Sequence, residues 1–468
     1  MFSRKMTLSL VGALILIWMA FFLPPLFELT LAQQRTLLLL VLSILLWTTH
    51  LIQTGISSLF VIGLTMAWGV AEDFSGAIQG FLSSTIYFIL VVALISSTMI
   101  KVGLDQRIAS FIVRMSHGNI RRVALSFFVA TLVLPIIIPS GNARVQMFLP
   151  LVEQIGRKYA PESGIPFQRF TIWTLGGINQ FSTIIVLSGG GLAVLASQLV
   201  AELNIRVTWL NWFLFMAPPI WLSCLLTGMV MWHYWNIRDG AIPWTEPSMA
   251  AISERAIEPS SSIKVWIVIG MLVTLIAAWI IAPIFHIPLI LPPLLFLGIL
   301  ALPGINLLSN HDIRTYDWEN FLLLGTALSL AFIIEQNGTA HWITGRILSW
   351  MGQHLPPWTY LFILMGIILV IRVLFTSPAA SLPVMYPLVK SFAEWVGLEP
   401  VHSLFFAIFL STATMLLPVH SPIMYMAYKS GHIPMGEHVT ISVVQLFVAM
   451  LVGMASFWFY WPLVISMV

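Results

Sequence analysis

The stretch PSGNARVQMFLPLVE, Pro139 to Glu153, sets Arg144 behind the small polar triplet Ser140, Gly141 and Asn142 in chain that is otherwise apolar. A helix that starts inside a membrane presents unpaired N–H groups and the positive end of its dipole, which suit an anionic group. Glycine allows close backbone approach, and serine and asparagine supply further hydrogen bonds. A guanidinium two residues on adds a permanent charge, which at membrane depth is a functional hypothesis by default. The chemistry on offer is the binding of a small anion. The competing reading is structural: an arginine paired with Glu153 or with backbone carbonyls, and Ser140 and Asn142 as caps of a broken helix.

A second apolar stretch breaks in the same way at TSPAAS, with Ser377, Pro378 and Ala379 at its centre and Arg372 five residues before. Arg372 has the weaker claim, since an arginine there also snorkels or caps a helix end. His420, in LPVHSP, titrates near neutral pH, with an ordinary hydrogen-bonded histidine as the competitor. SGGGL, Ser188 to Leu192, makes a poor phosphate loop, because no strand precedes it and no lysine follows. Asn179 and Thr183 lie just before it and either line a cavity or pack between helices. No His, Asp or Glu grouping at helix spacing lies within an apolar span, which argues against a membrane enzyme.

Composition fixes what must position these residues. The chain has 468 residues, 59% hydrophobic and only 8% charged, against roughly a quarter charged in soluble domains. It is an all-α polytopic membrane protein. Its single cysteine, Cys224, excludes an internal disulfide framework or a cysteine-rich metal site. The net charge of +3 is spread over loops with no basic stripe, so nucleic acid is not a partner.

Apolar runs of about 20 residues, the length a helix needs to cross the hydrocarbon layer, fall at 6–27, where a first helix is favoured over a signal peptide. Further spans fall near 35–52, 54–71, 81–100, 168–202, 208–235, 263–283, 287–303, 318–335, 402–429 and 438–463, making eleven crossings. The stretches 122–157 and 358–395 are broken at IPSGNA and TSPAAS and read as re-entrant helical hairpins. With the N-terminus inside, 15 Lys or Arg fall on the inner side and four outside (Arg35, Arg206, Arg346, Lys390), while Arg144 and Arg372 lie within the membrane. The Pro- and Ser-rich stretch 236–262 is a cytoplasmic linker between two halves of similar length. Trp18, Trp47, Trp232, Trp235 and Trp461 stand at span ends, as interfacial belts do. The basic residues between Lys101 and Arg122 suit an interfacial amphipathic helix that tethers a moving domain.

The halves repeat. STIYFILVVALISSTMIKVGLDQRIASFIV (84–113) aligns with DWENFLLLGTALSLAFIIEQNGTAHWITGRIL (317–348), with Gly103 opposite Gly338. Ser140 follows the first glycine by 37 residues and Ser377 the second by 39; Pro150 and Pro387, read as closing the hairpins, follow at 47 and 49. An odd number of crossings separates the units, so they are inverted, as in secondary transporters, with function at the pseudo-twofold axis.

These residues carry a resemblance. YDWENFLLLGTALSLAFIIEQNGTAHWI, the two small-polar tips each followed by Pro ten residues later, and LPVHSPIMYMAYKSGHI are similar to the divalent anion/sodium symporter family over nearly the whole chain. The resemblance implies an elevator-type carrier, usually a homodimer, whose substrates are dicarboxylates, citrate or sulfate. It divides the chain into scaffold helices (1–80), a first repeat (81–235) with hairpin 122–157 and broken helix 168–202, the linker, scaffold helices (263–317), and a second repeat (318–468) with hairpin 358–395 and broken helix 402–429. It implies substrate contacts at Ser140, Gly141, Asn142, Ser377, Pro378 and Ala379, and broken-helix loops at Ser188, Gly189, Gly190, Gly191 and at Val419, His420, Ser421, Pro422. Family sodium sites fall near Asn142, Gly190, Ala379 and Ser421. The family's Ser-Asn-Thr tip is absent at both positions, and the second tip has lost its amide and hydroxyl donors apart from Ser377.

A fixed guanidinium at one sodium position and a titratable imidazole at the other replace both cations, which favours anion exchange over sodium symport. The alternatives are sodium- or proton-coupled symport of a dicarboxylate or sulfate, and, further off, an anion channel. The expected partners are a small anionic substrate, lipid and a second copy of the chain. No cofactor is expected other than sodium on the symport reading. The expected location is a bacterial inner membrane, N-terminus cytoplasmic and C-terminus outside.

Overall fold

In a computed structural model the described residues are 4–104, 107, 108, 111, 119–158, 161–237, 262–349 and 355–467. Among them the regular structure is helical throughout. Six helices are long and apolar enough to cross a membrane: Leu31–Thr49, Ser84–Lys101, Trp209–Trp235, Ile263–Ile281, Trp318–Gln336 and Met435–Ile465. Shorter apolar helices such as Thr54–Ala67 and Pro400–Ala413 accompany them. This is the all-α polytopic class that the composition requires. Residues 238–261 of the linker 236–262 and most of the basic segment before Asn119 lie outside the described residues.

The chain folds as two compact units, the first made of Met1–Ile86 with Asp317–Ser411 and the second of Tyr87–Tyr316 with Thr412–Val468. In the first unit, Thr30 and Gln33 form a reciprocal capping box that starts Leu31–Thr49. Leu39, Leu42, Val61, Trp68, Leu330 and Val384 then bury one common core. Ser329 Oγ accepts from the Gly80 N–H at 2.9 Å. A Cβ on Gly80 would lie 2.3 Å from the Gly325 carbonyl, so only glycine permits this backbone approach. The same unit holds the second hairpin, with arms Pro357–Val373 and Pro378–Val396 on either side of a break at 374–377.

The second unit holds the first hairpin, Ile120–Val133 and Gly141–Lys158. Its arms meet where the Phe127 and Phe148 rings pack edge to face, 5.3 Å apart. Both tips therefore break where the small residues predict. Pro150 and Pro387 do not close the hairpins, however; each lies inside a helix that continues well past it. Packed neighbours re-satisfy the backbone around an internal proline, so it need not end a membrane helix. Gly103 and Gly338, opposite each other in the sequence alignment, both take left-handed conformations, φ +68° and +72°, just past the helices they terminate.

The second unit also shows how an interrupted helix is repaired. Pro218 and Pro219 sit inside Trp209–Trp235, and having no N–H they leave the carbonyls four residues back, Leu214 and Phe215, without helical donors. Tyr460 Oη donates to the Leu214 carbonyl at 2.6 Å, and Trp461 Nε1 to that of Phe215 at 3.0 Å. Trp461 is fully buried, as Trp47 and Trp235 nearly are, while Trp18 is 57% exposed. Three of the five tryptophans expected in the belts are thus interior. Of these three, Trp461 serves a carbonyl in need of a donor, whereas Trp235 Nε1 donates to Glu437 Oε2 at 3.5 Å.

Trp461→Phe should cost about 1 kcal/mol, and less in a Pro219→Ala background, where the helix regains its own donor. A double-mutant cycle on thermal unfolding checks this; strictly additive costs would contradict it.

Candidate anion-binding site

The first tip begins as a capped helix start. Ser140 Oγ accepts from the Ala143 N–H at 3.2 Å, and Gly141 opens the helix. Gly141 is buried so tightly that a Cβ there would meet Ile423 Cδ1 at 2.2 Å and Thr183 Cγ2 at 3.1 Å. Asn142, by contrast, is exposed on the first turn.

Arg144 is fully buried. Its Nη1 donates to the Ile138 carbonyl at 2.5 Å, and its Nε to Asn179 Oδ1 at 2.6 Å. Asn179 Nδ2 in turn donates to the Gly141 carbonyl at 2.9 Å, closing a ring of bonds around the tip. Nη2 is buried with no partner among the described residues. The structural alternative is half realised: Arg144 takes a carbonyl and an amide oxygen, and no carboxylate among the described residues pairs with it.

Both broken helices reach this tip. The first runs from Pro161–Trp173 through a π turn, Thr174–Ile178, to Asn179–Ser182, and resumes after a 3-10 turn, Leu187–Gly189, as Gly191–Ala201. The second resumes after a 3-10 turn, Pro418–His420, as Pro422–Tyr428. Ser421 caps that last helix by accepting from the Met424 N–H, and its hydroxyl donates to Gln180 Oε1 at 2.7 Å. Asn179 and Gln180, adjacent in sequence, thus tie the first tip to both breaks. The sequence points to Asn179 only as a cavity-lining or packing residue, and to Gln180 not at all; the sole signal is the polar run NQFST inside an apolar span.

His420 is buried, and its Nδ1 accepts from the Leu417 N–H at 3.3 Å. A lone pair is needed there, so this bond belongs to a ring without a proton on Nδ1. Ser188 is buried and accepts from Trp209 Nε1 at 3.2 Å. It lines a small cavity of about 10 Å³ together with Pro139, Ile136, Leu272 and Trp279. Gly190, Val419 and Pro422 are less enclosed.

The second tip belongs to the first unit. Ser377 Oγ accepts from the Ala379 N–H at 3.2 Å, and Pro378 occupies the first helical position, where its missing N–H costs nothing. Arg372 is fully buried and donates from Nη1 to the Phe375 carbonyl and from Nε to that of Ser411, both at 2.8 Å. It caps the end of the arm before the break, the structural role weighed for it.

Gly189 and Gly190 separate packing from conformation. A Cβ on Gly189 would lie 2.3 Å from the Thr183 carbonyl oxygen, whereas on Gly190 the nearest atom is 3.5 Å away. Gly189→Ala should therefore destabilise by about 1–3 kcal/mol and Gly190→Ala by much less. Paired thermal-shift measurements check this, and equal losses would contradict the packing.

The sodium:sulfate symporter transmembrane region matches this chain over residues 4–467. Among similar proteins, the chloroplastic dicarboxylate transporter 2.2 of Arabidopsis thaliana is 22% identical over 401 residues, 82% of this chain and 72% of that protein. Dicarboxylate transporter 2.1 of the same plant is 20% identical over 322 residues, 67% of this chain and 57% of that protein, so this chain spans little more than half its length. Among solved structures, the YdaH transporter of Alcanivorax borkumensis has a similar fold, with TM-score 0.51 at 15% identity, covering 98% of this chain and 100% of that one. From the membrane-class composition, the broken helices around the first tip and a family match across nearly its full length, it follows that this chain belongs to the sodium:sulfate symporter family of multi-pass membrane transporters.

Proposed function

We propose that this protein is a secondary carrier of small divalent anions of dicarboxylate type, and that it exchanges one dianion for another without sodium, Arg144 and His420 standing in for the cations. The observation that carries the reading is Arg144 itself: a fully buried guanidinium with no carboxylate partner among the described residues and one amino group, Nη2, unpaired. A buried charge without a counter-ion costs several kcal/mol, and a barrier higher by about 3 kcal/mol slows a step by roughly 100-fold. A carrier without substrate would keep that penalty while it reorients, and a bound anion would remove it. Exchange is the consequence, because only the loaded carrier reorients quickly.

Two of the similar proteins are named dicarboxylate transporters, which supports that substrate class. On this reading the chain crosses the membrane eleven times and folds two re-entrant hairpins. It works as an elevator-type homodimer in a bacterial inner membrane, N-terminus cytoplasmic and C-terminus outside. The second tip, with Ser377 as its one side-chain donor, takes the less demanding end of the substrate.

The family's description favours a second reading, sodium symport. Any sodium would then rest on hydroxyl and backbone oxygens, because among the described residues no three of His, Cys, Asp and Glu gather. A proton-coupled variant would work through His420, where a proton on Nδ1 must break the Leu417 bond.

Counterflow in proteoliposomes separates these. With unlabelled succinate inside and labelled succinate outside, uptake should be equal with and without sodium and fall at least tenfold in Arg144→Ala. Uptake that requires sodium would overturn the exchange reading in favour of symport, and uptake rising with acid and lost in His420→Ala would select proton coupling.

A further inference from the structure

The second unit contains another group of buried polar atoms away from the tip. Trp173 is fully buried, as is His438, and Gln445 is 1% exposed. Trp173 Nε1, His438 Nδ1 and both polar atoms of the Gln445 amide have no hydrogen-bond partner among the described residues. They lie together: the Trp173 and His438 rings are 5.2 Å apart, and a Cβ on Gly177 would sit 2.9 Å from Trp173 Nε1 and 3.1 Å from Gln445 Oε1. Gly177 belongs to the π turn Thr174–Ile178, a local widening of the helix that recurs at functional sites. A methyl group at Gly177 would therefore press against both polar groups at once.

The donor and acceptor set decides what fits there. The Met415 carbonyl accepts from His438 Nε2 at 3.1 Å and from Ser442 Oγ at 2.9 Å, so Nε2 carries a proton and Nδ1 is left as an acceptor. Trp173 offers one N–H and Gln445 offers both N–H groups and an oxygen. A sodium ion needs several oxygens and would find one not already engaged. An anion would face two acceptors. Water donates and accepts, makes about three bonds in such sites, and matches the set.

We infer that Trp173, Gln445 and His438 form a water-binding site inside the second unit, which a side chain at Gly177 would obstruct. The water completes the bonding of His438, which with Ser442 supplies donors to the Met415 carbonyl where the second broken helix unwinds.

Radiolytic hydroxyl-radical footprinting of the full chain in lipid nanodiscs tests this, because radicals formed from bound water mark the residues touching it. Trp212 is the internal control: it is equally buried, but its Nε1 donates to the Ile184 carbonyl at 2.8 Å. Trp173 should be oxidised at least fivefold faster than Trp212 in the wild-type protein, and the excess should vanish in Gly177→Ala or, if that variant does not fold, in Gln445→Leu. Equal slow oxidation of the two tryptophans in the wild type would overturn the inference, as would an excess that survives in the folded variant.

Discussion

A carbonyl released by a broken helix in an apolar layer has no water to turn to, and a donor must come from elsewhere in the chain. Several long-range side-chain bonds in the interior of this protein answer that one requirement. Beyond the arginines, Ser182 donates to the Thr131 carbonyl and Trp221 to that of Leu132, both at the end of the arm that leads into the first tip. Trp212 serves Ile184 in the first break, and His438 and Ser442 serve Met415 before the second. Each such bond is worth only about 1 kcal/mol net, but an unmet carbonyl costs more than a made bond contributes. The breaks are held by long-range side chains, and those side chains are what give the interior a single arrangement.

This changes what Arg144 means. An arginine that only capped the Ile138 carbonyl would be interchangeable with Arg372, which caps its own break from the preceding arm. The two differ in the rest of the guanidinium. Arg144 is held at two nitrogens by Ile138 and Asn179 and has no partner for a third nitrogen among the described residues, so on the proposed reading the group is already oriented before an anion arrives. Such preorganisation lowers the ordering cost of binding. The Asn179–Gln180 pair sets this orientation and at the same time fastens Ser421, so one polar dipeptide aligns three breaks.

Much of this is legible in the sequence. Ser140, Gly141 and Ser377 stand at helix starts because small and capping residues have few other uses inside an apolar run. Gly103 and Gly338, which the sequence places opposite each other, both end their helices in a left-handed turn. The identity of the donors is not legible. Trp461 and the carbonyl it serves are 246 residues apart, and nothing in the local pattern distinguishes a tryptophan at a membrane interface from one repairing a proline gap. Pro150 and Pro387 mislead in another way, since each lies inside a helix that continues past it. The Asn179–Gln180 pair is visible as polar residues in a span, but its partners are set by the fold.

The central claim is that a buried, unpaired positive charge must be neutralised by substrate before the carrier can reorient. The most direct measurement is efflux of labelled succinate from loaded proteoliposomes into medium free of dicarboxylate, compared with efflux into medium that contains it, both without sodium. The account predicts efflux into the empty medium slower by about two orders of magnitude, in line with a penalty of about 3 kcal/mol on the unloaded return. Equal rates in the two media would show that the unloaded carrier returns freely and would contradict it.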